Sequence, residues 1–133
     1  MSSNRKMLKI LSLVQIVFAV LCFVMASLVF NGTPRVEGDA DVLTFLTANL
    51  DAVLCTVAAF LTAFCAIDGI KGANRPSALG AHLVVAILVA IAGAAACALS
   101  PAIQGLSVVC ALDAVLAIAA AVFDKKVRAE IDR

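Results

Sequence analysis

The chain has no tryptophan and no tyrosine, a single histidine, three prolines and few charges, with 14% of its residues charged. A soluble domain carries about 25% charged residues, so the polar surface a water-soluble enzyme needs is missing. Ten basic residues are balanced by nine acidic ones for a net charge of +1, which removes the basic face that a nucleic-acid binder requires. There is no phosphate-cradling Walker loop, no paired-histidine zinc motif and no glycine-rich dinucleotide fingerprint. These absences predict a protein that is not an enzyme, binds no cofactor and does not bind nucleic acid. The missing Trp and Tyr also remove the usual aromatic belt of a membrane protein, leaving orientation to rest on the charges and on Phe18, Phe30, Phe45 and Phe123.

What remains is strongly apolar: 64% of 133 residues are hydrophobic and the mean hydropathy is +1.12. A single soluble domain of this length cannot bury that much apolar surface, so lipid is the expected solvent. A membrane-spanning helix needs about 20 apolar residues. Four runs reach that length, over about 10–30, 42–67, 79–99 and 102–123, with 124–133 as a tail. Asn31-Gly32-Thr33-Pro34 ends the first run, Gly69, Gly72 and Pro76 separate the second from the third, and Ser100-Pro101 gives a tight turn before the fourth. Val24-Met25-Ala26 has the look of a signal-peptide cleavage site, but the apolar run continues to Phe30 and favours an uncleaved span.

Nine of the ten basic residues fall on one side of these spans, and Arg35 alone falls on the other, among Glu37, Asp39 and Asp41. By the positive-inside rule both termini are cytoplasmic. The expected location is the plasma (inner) membrane of a prokaryote. Val127 and Ile131 continue the Phe123 face, so the tail is read as a helical extension along the membrane surface.

Each run carries a stripe of small or weakly polar residues spaced alternately three and four apart: Ser12, Gln15, Ala19, Cys22 and Ala26; Thr44, Thr47, Asp51, Cys55, Ala58, Thr62 and Cys65; His82, Ala86, Ala90, Gly93 and Cys97; and Cys110, Asp113, Ala117 and Ala120. Small faces let membrane helices approach closely, and the period favours shallow left-handed packing. The expected fold is all-α: an integral membrane, antiparallel four-helix bundle forming one domain. A second small row in the third span, Ala86, Ala90, Ala94 and Ala98, reads as a seat for another subunit, with chance spacing in an alanine-rich span as the other reading. Leu50-Asp51-Ala52-Val53-Leu54 recurs as Leu112-Asp113-Ala114-Val115-Leu116. This reads as a tandem duplication of a two-helix hairpin, with chance matching in an alanine-rich chain as the other reading.

Asp51 and Asp113 are the sharpest candidates for a functional site, because a carboxylate at membrane depth is costly and marks a proton or cation site by default. Counted at about 1.5 Å per residue, Asp51 lies a third of the way in from the outer face and Asp113 near the middle, with no cation at either depth. The competing reading is packing: carboxylic acids hydrogen-bonded to Thr, Gln or backbone. If the hairpins are symmetric, the two aspartates approach and titrate together. His82 and Gln15 are weaker candidates, read as an interfacial and an interhelical hydrogen-bonder. Asp68 and Asp124 read as solvated charges at the span ends. The five cysteines lie in apolar runs, are odd in number and form no Cys-x-x-Cys pair, so neither disulfide nor metal site is expected.

Two functions fit: a structural or accessory bundle that associates with itself or with a larger membrane-protein partner, and a small proton- or cation-coupled transporter or channel using the intramembrane carboxylates.

Overall fold

The computed structural model describes residues 2–32, 34–36, 38, 41–100 and 105–131. Thr33, Glu37 and Asp39 of the outer loop, Pro101 and residues 102–104 before the last span, and Arg133 lie outside the described residues. Among the described residues five α-helices form: α1 (Ser3–Phe30), α2 (Val42–Ala48), α3 (Leu50–Asn74), α4 (His82–Leu99) and α5 (Gly105–Ile131), with one 3-10 turn at Pro76–Ala78. Four of them, α1, α3, α4 and α5, are long and apolar enough to cross a membrane. They pack as an all-α four-helix bundle. Around its perimeter α1 touches α3 and α5, and α4 touches α3 and α5; across it α3 meets α5.

The outside of the bundle is apolar. Val17, Leu28, Phe64, Ile91 and Val115 are each more than half exposed, as expected of side chains that face lipid. The inside is small. Cys22, Ala26, Ala52, Cys55, Ala59, Ala96, Leu106 and Cys110 form one cluster, Cys65, Ala86, Val89 and Ala117 a second, and Leu8, Ala73, Leu79 and Val127 a third. The buried face of α1 comprises Leu8 and the expected stripe from Ser12 to Ala26. That of α5 includes Cys110, Asp113, Ala117 and Ala120, continued by Asp124 and Val127.

Three expectations are corrected. The run 42–67 is not one helix: it breaks at Asn49, whose side-chain amide donates to the Phe45 carbonyl at 3.0 Å and competes with the helical backbone pattern. Thr44 and Thr47 therefore sit on the separate, exposed α2 and take no part in the core. α2 is capped by Asp41, which accepts from the Thr44 amide at 2.8 Å; the Thr44 hydroxyl and amide together hold the Asp41 carboxyl below its ordinary range. Phe45 stacks on Phe30 with ring centroids 5.9 Å apart, tying α2 to the end of α1.

In α4 the core face is His82, Ala86, Val89, Gly93 and Ala96, while Ala90 and Cys97 are only partly buried. The helix is small on nearly every side, so side-chain size alone could not choose its face.

The tail is the helical extension expected, but it packs into the bundle instead of lying apart from it. α5 runs on through it, with Val127 fully buried against the Leu8, Ala73 and Leu79 cluster. Ser2 and Asn4 of α1's first turn donate to the Glu130 carboxylate at 2.8 and 2.6 Å. Arg5 donates to the Ala73 and Asn74 carbonyls at 2.7 and 2.6 Å, and Lys9 to the Asn74 side chain at 3.2 Å. The Arg5 guanidinium thus caps backbone carbonyls at the C-terminus of α3, where a helix leaves its last carbonyls without a partner of its own.

Glycines set the closest approaches. A Cβ placed on Gly93 would lie 2.8 Å from the Cys110 carbonyl oxygen and 3.2 Å from the Ala114 Cβ, so the α4 backbone rests directly on α5. Gly93→Ala is expected to push the helices apart and destabilise the bundle by about 1–3 kcal/mol, the usual range for overpacking. Denaturant unfolding in detergent micelles, followed by circular dichroism, measures it; an unchanged midpoint would contradict so close a contact.

Candidate functional site

The bundle interior holds polar groups at three levels. At the outer end Asp51, the second residue of α3, is 1% exposed and pairs with Arg35, whose Nη1 lies 2.6 Å from its Oδ1. This overturns two expectations. Because the helix restarts at Leu50, Asp51 lies at the bundle end rather than a third of the way in. It also has a cation, which the outer loop folds back to supply. The carboxylate stands in the first turn of α3, where the helix dipole favours negative charge. Its Oδ2 has no hydrogen-bond partner among the described residues. A cleft of about 450 Å³ opens beside the pair, lined by Thr47, Leu50 and Leu99.

At the middle level Asp113 of α5 is fully buried. The Thr62 hydroxyl on α3 donates to its Oδ2 at 2.7 Å, and the Cys22 thiol of α1 lies 3.8 Å from the same oxygen. Its Oδ1 has no hydrogen-bond partner among the described residues. The Thr62 bond crosses the diagonal of the bundle, so three helices meet at one carboxylate. Immediately outward the sulfurs of Cys22, Cys55 and Cys110 lie within 4.8 Å of one another, all buried. Cys55 also donates to the Cys22 carbonyl at 3.2 Å. Sequence reasoning treated the cysteines as separate small hydrophobes and missed this convergence. The signal was present in that each cysteine sits on its helix's small stripe, but which stripes meet at which height is a tertiary fact.

Asp51 and Asp113 do not approach each other. Thr62, the partner of Asp113, is eleven residues beyond Asp51 on the same helix, about 16 Å at 1.5 Å per residue. The two Leu-Asp-Ala-Val-Leu segments also differ in placement: Asp51 is the second residue of its helix and salt-bridged, Asp113 the ninth of its own and bonded to a hydroxyl. The coupled pair of carboxylates expected from hairpin symmetry does not form.

At the inner level Asp124 is fully buried, not solvated. His82 Nδ1 lies 2.6 Å from its Oδ2, and Arg128, one turn further along α5, pairs with its Oδ1 and donates to the Gly80 carbonyl at 2.8 Å. Gly80 adopts a φ of +52°, a left-handed conformation that places this carbonyl at little steric cost. His82 is thus one of two partners of the buried Asp124 carboxylate, with Arg128 the other, rather than a lone interfacial side chain. Its Nε2 has no hydrogen-bond partner among the described residues and points toward Gly69, where a Cβ would lie 3.1 Å from it and collide with the Ser12 hydroxyl. The sequence did carry a sign of Asp124's role: the spacing from Cys110 through Asp113, Ala117 and Ala120 reaches Asp124 and Val127 with no break, and Arg128 follows four residues on. Asp68, by contrast, is partly exposed. Gln15, between the middle and inner levels, donates to the Cys65 sulfur at 3.7 Å, an interhelical bond of the kind expected.

The interior thus defines a polytopic membrane protein whose buried polar groups are shared between helices. Compared with protein-family models, curated proteins and solved structures, the chain finds no match.

The Arg35–Asp51 pair gives a direct test. Removing one partner of a buried pair strands the other, so a double-mutant cycle with Arg35→Gln and Asp51→Asn should return a coupling of about 1–3 kcal/mol. Strictly additive losses of stability in micelles would show that the loop does not dock on Asp51.

Proposed function

We propose that this protein is a non-enzymatic, structural or accessory component of the plasma (inner) membrane of a prokaryote, acting by association with a second copy of itself. One observation carries this reading. The small-residue rows on the other faces are used within the bundle, whereas Ala94 and Ala98 of α4 are exposed and Ala90 is half-buried. Ala90 and Ala94 line an apolar groove of about 440 Å³ between α4 and α5. In lipid, a row of small residues gains contact only when another helix comes close. The same face also carries Ile91, Ile118 and Val122, each nearly half exposed or more. It therefore offers both protrusions and recesses, as a two-fold self-contact requires. The uneven distribution of basic residues supports the orientation with both termini in the cytoplasm. The Asp51 and Asp113 carboxylates serve as structural ties, one holding the outer loop to α3 through Arg35 and one joining α5 to α3 through Thr62.

Energy transfer between differently labelled copies in vesicles is expected to persist as the protein is diluted in lipid. Ala94→Phe fills the groove from the outside and should reduce that transfer to the level of random proximity, with helix content unchanged. A protein that stays monomeric at every density, or transfer that survives Ala94→Phe, would reject self-association.

A second reading, proton- or cation-coupled transport, draws on the polar groups at three levels along the core: Asp51, Thr62 with Asp113, and His82 with Asp124. It requires flux into proteoliposomes across a pH gradient, lost in Asp113→Asn. No flux for a panel of cations would remove it.

A further inference from the structure

We propose that Cys22, Cys55 and Cys110 form a binding site for a single soft, closed-shell metal ion, copper(I) or zinc(II), in the core of the bundle. The three thiols come from three different helices, α1, α3 and α5, and their sulfurs already lie within 4.8 Å of one another. A metal bound at the about 2.3 Å typical of zinc–thiolate bonds holds three sulfurs about 4.0 Å apart in a plane. The sulfurs need to draw together by less than about 1 Å for that geometry, a movement within reach of side-chain rotation. Soft thiolate ligands select ions of this kind over magnesium, calcium or manganese.

The surroundings point the same way. Buried cysteines that serve only as small hydrophobes need no polar neighbour, yet Asp113 stands against this cluster with Oδ2 3.8 Å from the Cys22 sulfur and Oδ1 without a hydrogen-bond partner among the described residues. An unsatisfied carboxylate oxygen in a dry interior is costly, and a cation beside the sulfurs offsets that. Coordination requires thiolates, so each ligating cysteine gives up its proton on binding. The three protons leave for bulk water as the ion enters. The Gly93 contact keeps α4 close to the Cys110 carbonyl and holds α5 in place. Cys65 and Cys97 are not members of this group.

The two ions make different demands on Asp113. Zinc favours four ligands in a tetrahedron, and the carboxylate is the group placed to supply the fourth. Copper(I) is satisfied by the three sulfurs. Asp113→Asn should therefore weaken zinc and leave copper(I) binding nearly unchanged.

The test uses the full chain in lipid nanodiscs, reduced and free of oxygen, titrated separately with copper(I) and zinc(II) against chromophoric competitors. The expected result is one ion per chain for at least one metal, with X-ray absorption showing a sulfur shell at about 2.3 Å. Cys110→Ser should weaken binding at least tenfold, and Cys97→Ser should leave it unchanged. Bound metal should also slow alkylation of the three thiols in the wild-type protein, a readout that needs no variant to fold. The proposal is overturned if neither metal binds at one per chain, if Cys97→Ser and Cys110→Ser weaken binding alike, or if metal leaves alkylation rates unchanged.

Discussion

In a bilayer, helices gain little from hiding apolar side chains from each other, because lipid is as apolar as they are; what draws them together is close packing and shared hydrogen bonds. The whole structure follows from that constraint. Alanine, glycine, serine and cysteine fill the interior, leaving the backbones close enough for Gly93 to sit directly on the Cys110 carbonyl and Gly69 on Ser12 and His82. A polar group buried between helices so near each other can reach a partner on another helix. Asp113 finds Thr62 across the diagonal, and Gln15 finds Cys65.

The same constraint explains why the charges gather at the two ends. Outside, the loop supplies Arg35 to the first turn of α3. Inside, His82, Asp124 and Arg128 bind the start of α4 to α5, while Ser2 and Asn4 engage Glu130 and Arg5 covers the end of α3. Each end therefore links helices through polar bonds made where long side chains reach the interface, and the thin apolar clusters lie between them. The self-association proposed for the outer α4–α5 face and the metal proposed for the three core thiols involve separate parts of the bundle, so neither proposal depends on the other.

Much of the architecture was legible in one dimension. Hydropathy gave four spans, and the three-and-four spacing of small residues picked out the buried faces of α1 and α5, because a helix repeats its faces with a fixed period. The face of α4 was misjudged by one residue, since Ala and Gly occur on almost every side of it. The break at Asn49 was hidden by apolar residues on both sides of it, and with it the true depth of Asp51.

The sequence by itself determined the apolar exterior, the number of candidate spans and the inward stripes of α1 and α5, since these depend only on composition and on the period of the helix. It could not determine which inward residues meet. Cys22, Cys55 and Cys110 lie 33 and 55 positions apart along the chain, and Arg35 reaches Asp51 only through the fold of a loop. Those encounters depend on the relative height and rotation of packed helices, set by every contact in the bundle at once. The ion pairs, the buried carboxylate and the thiol cluster were decided there.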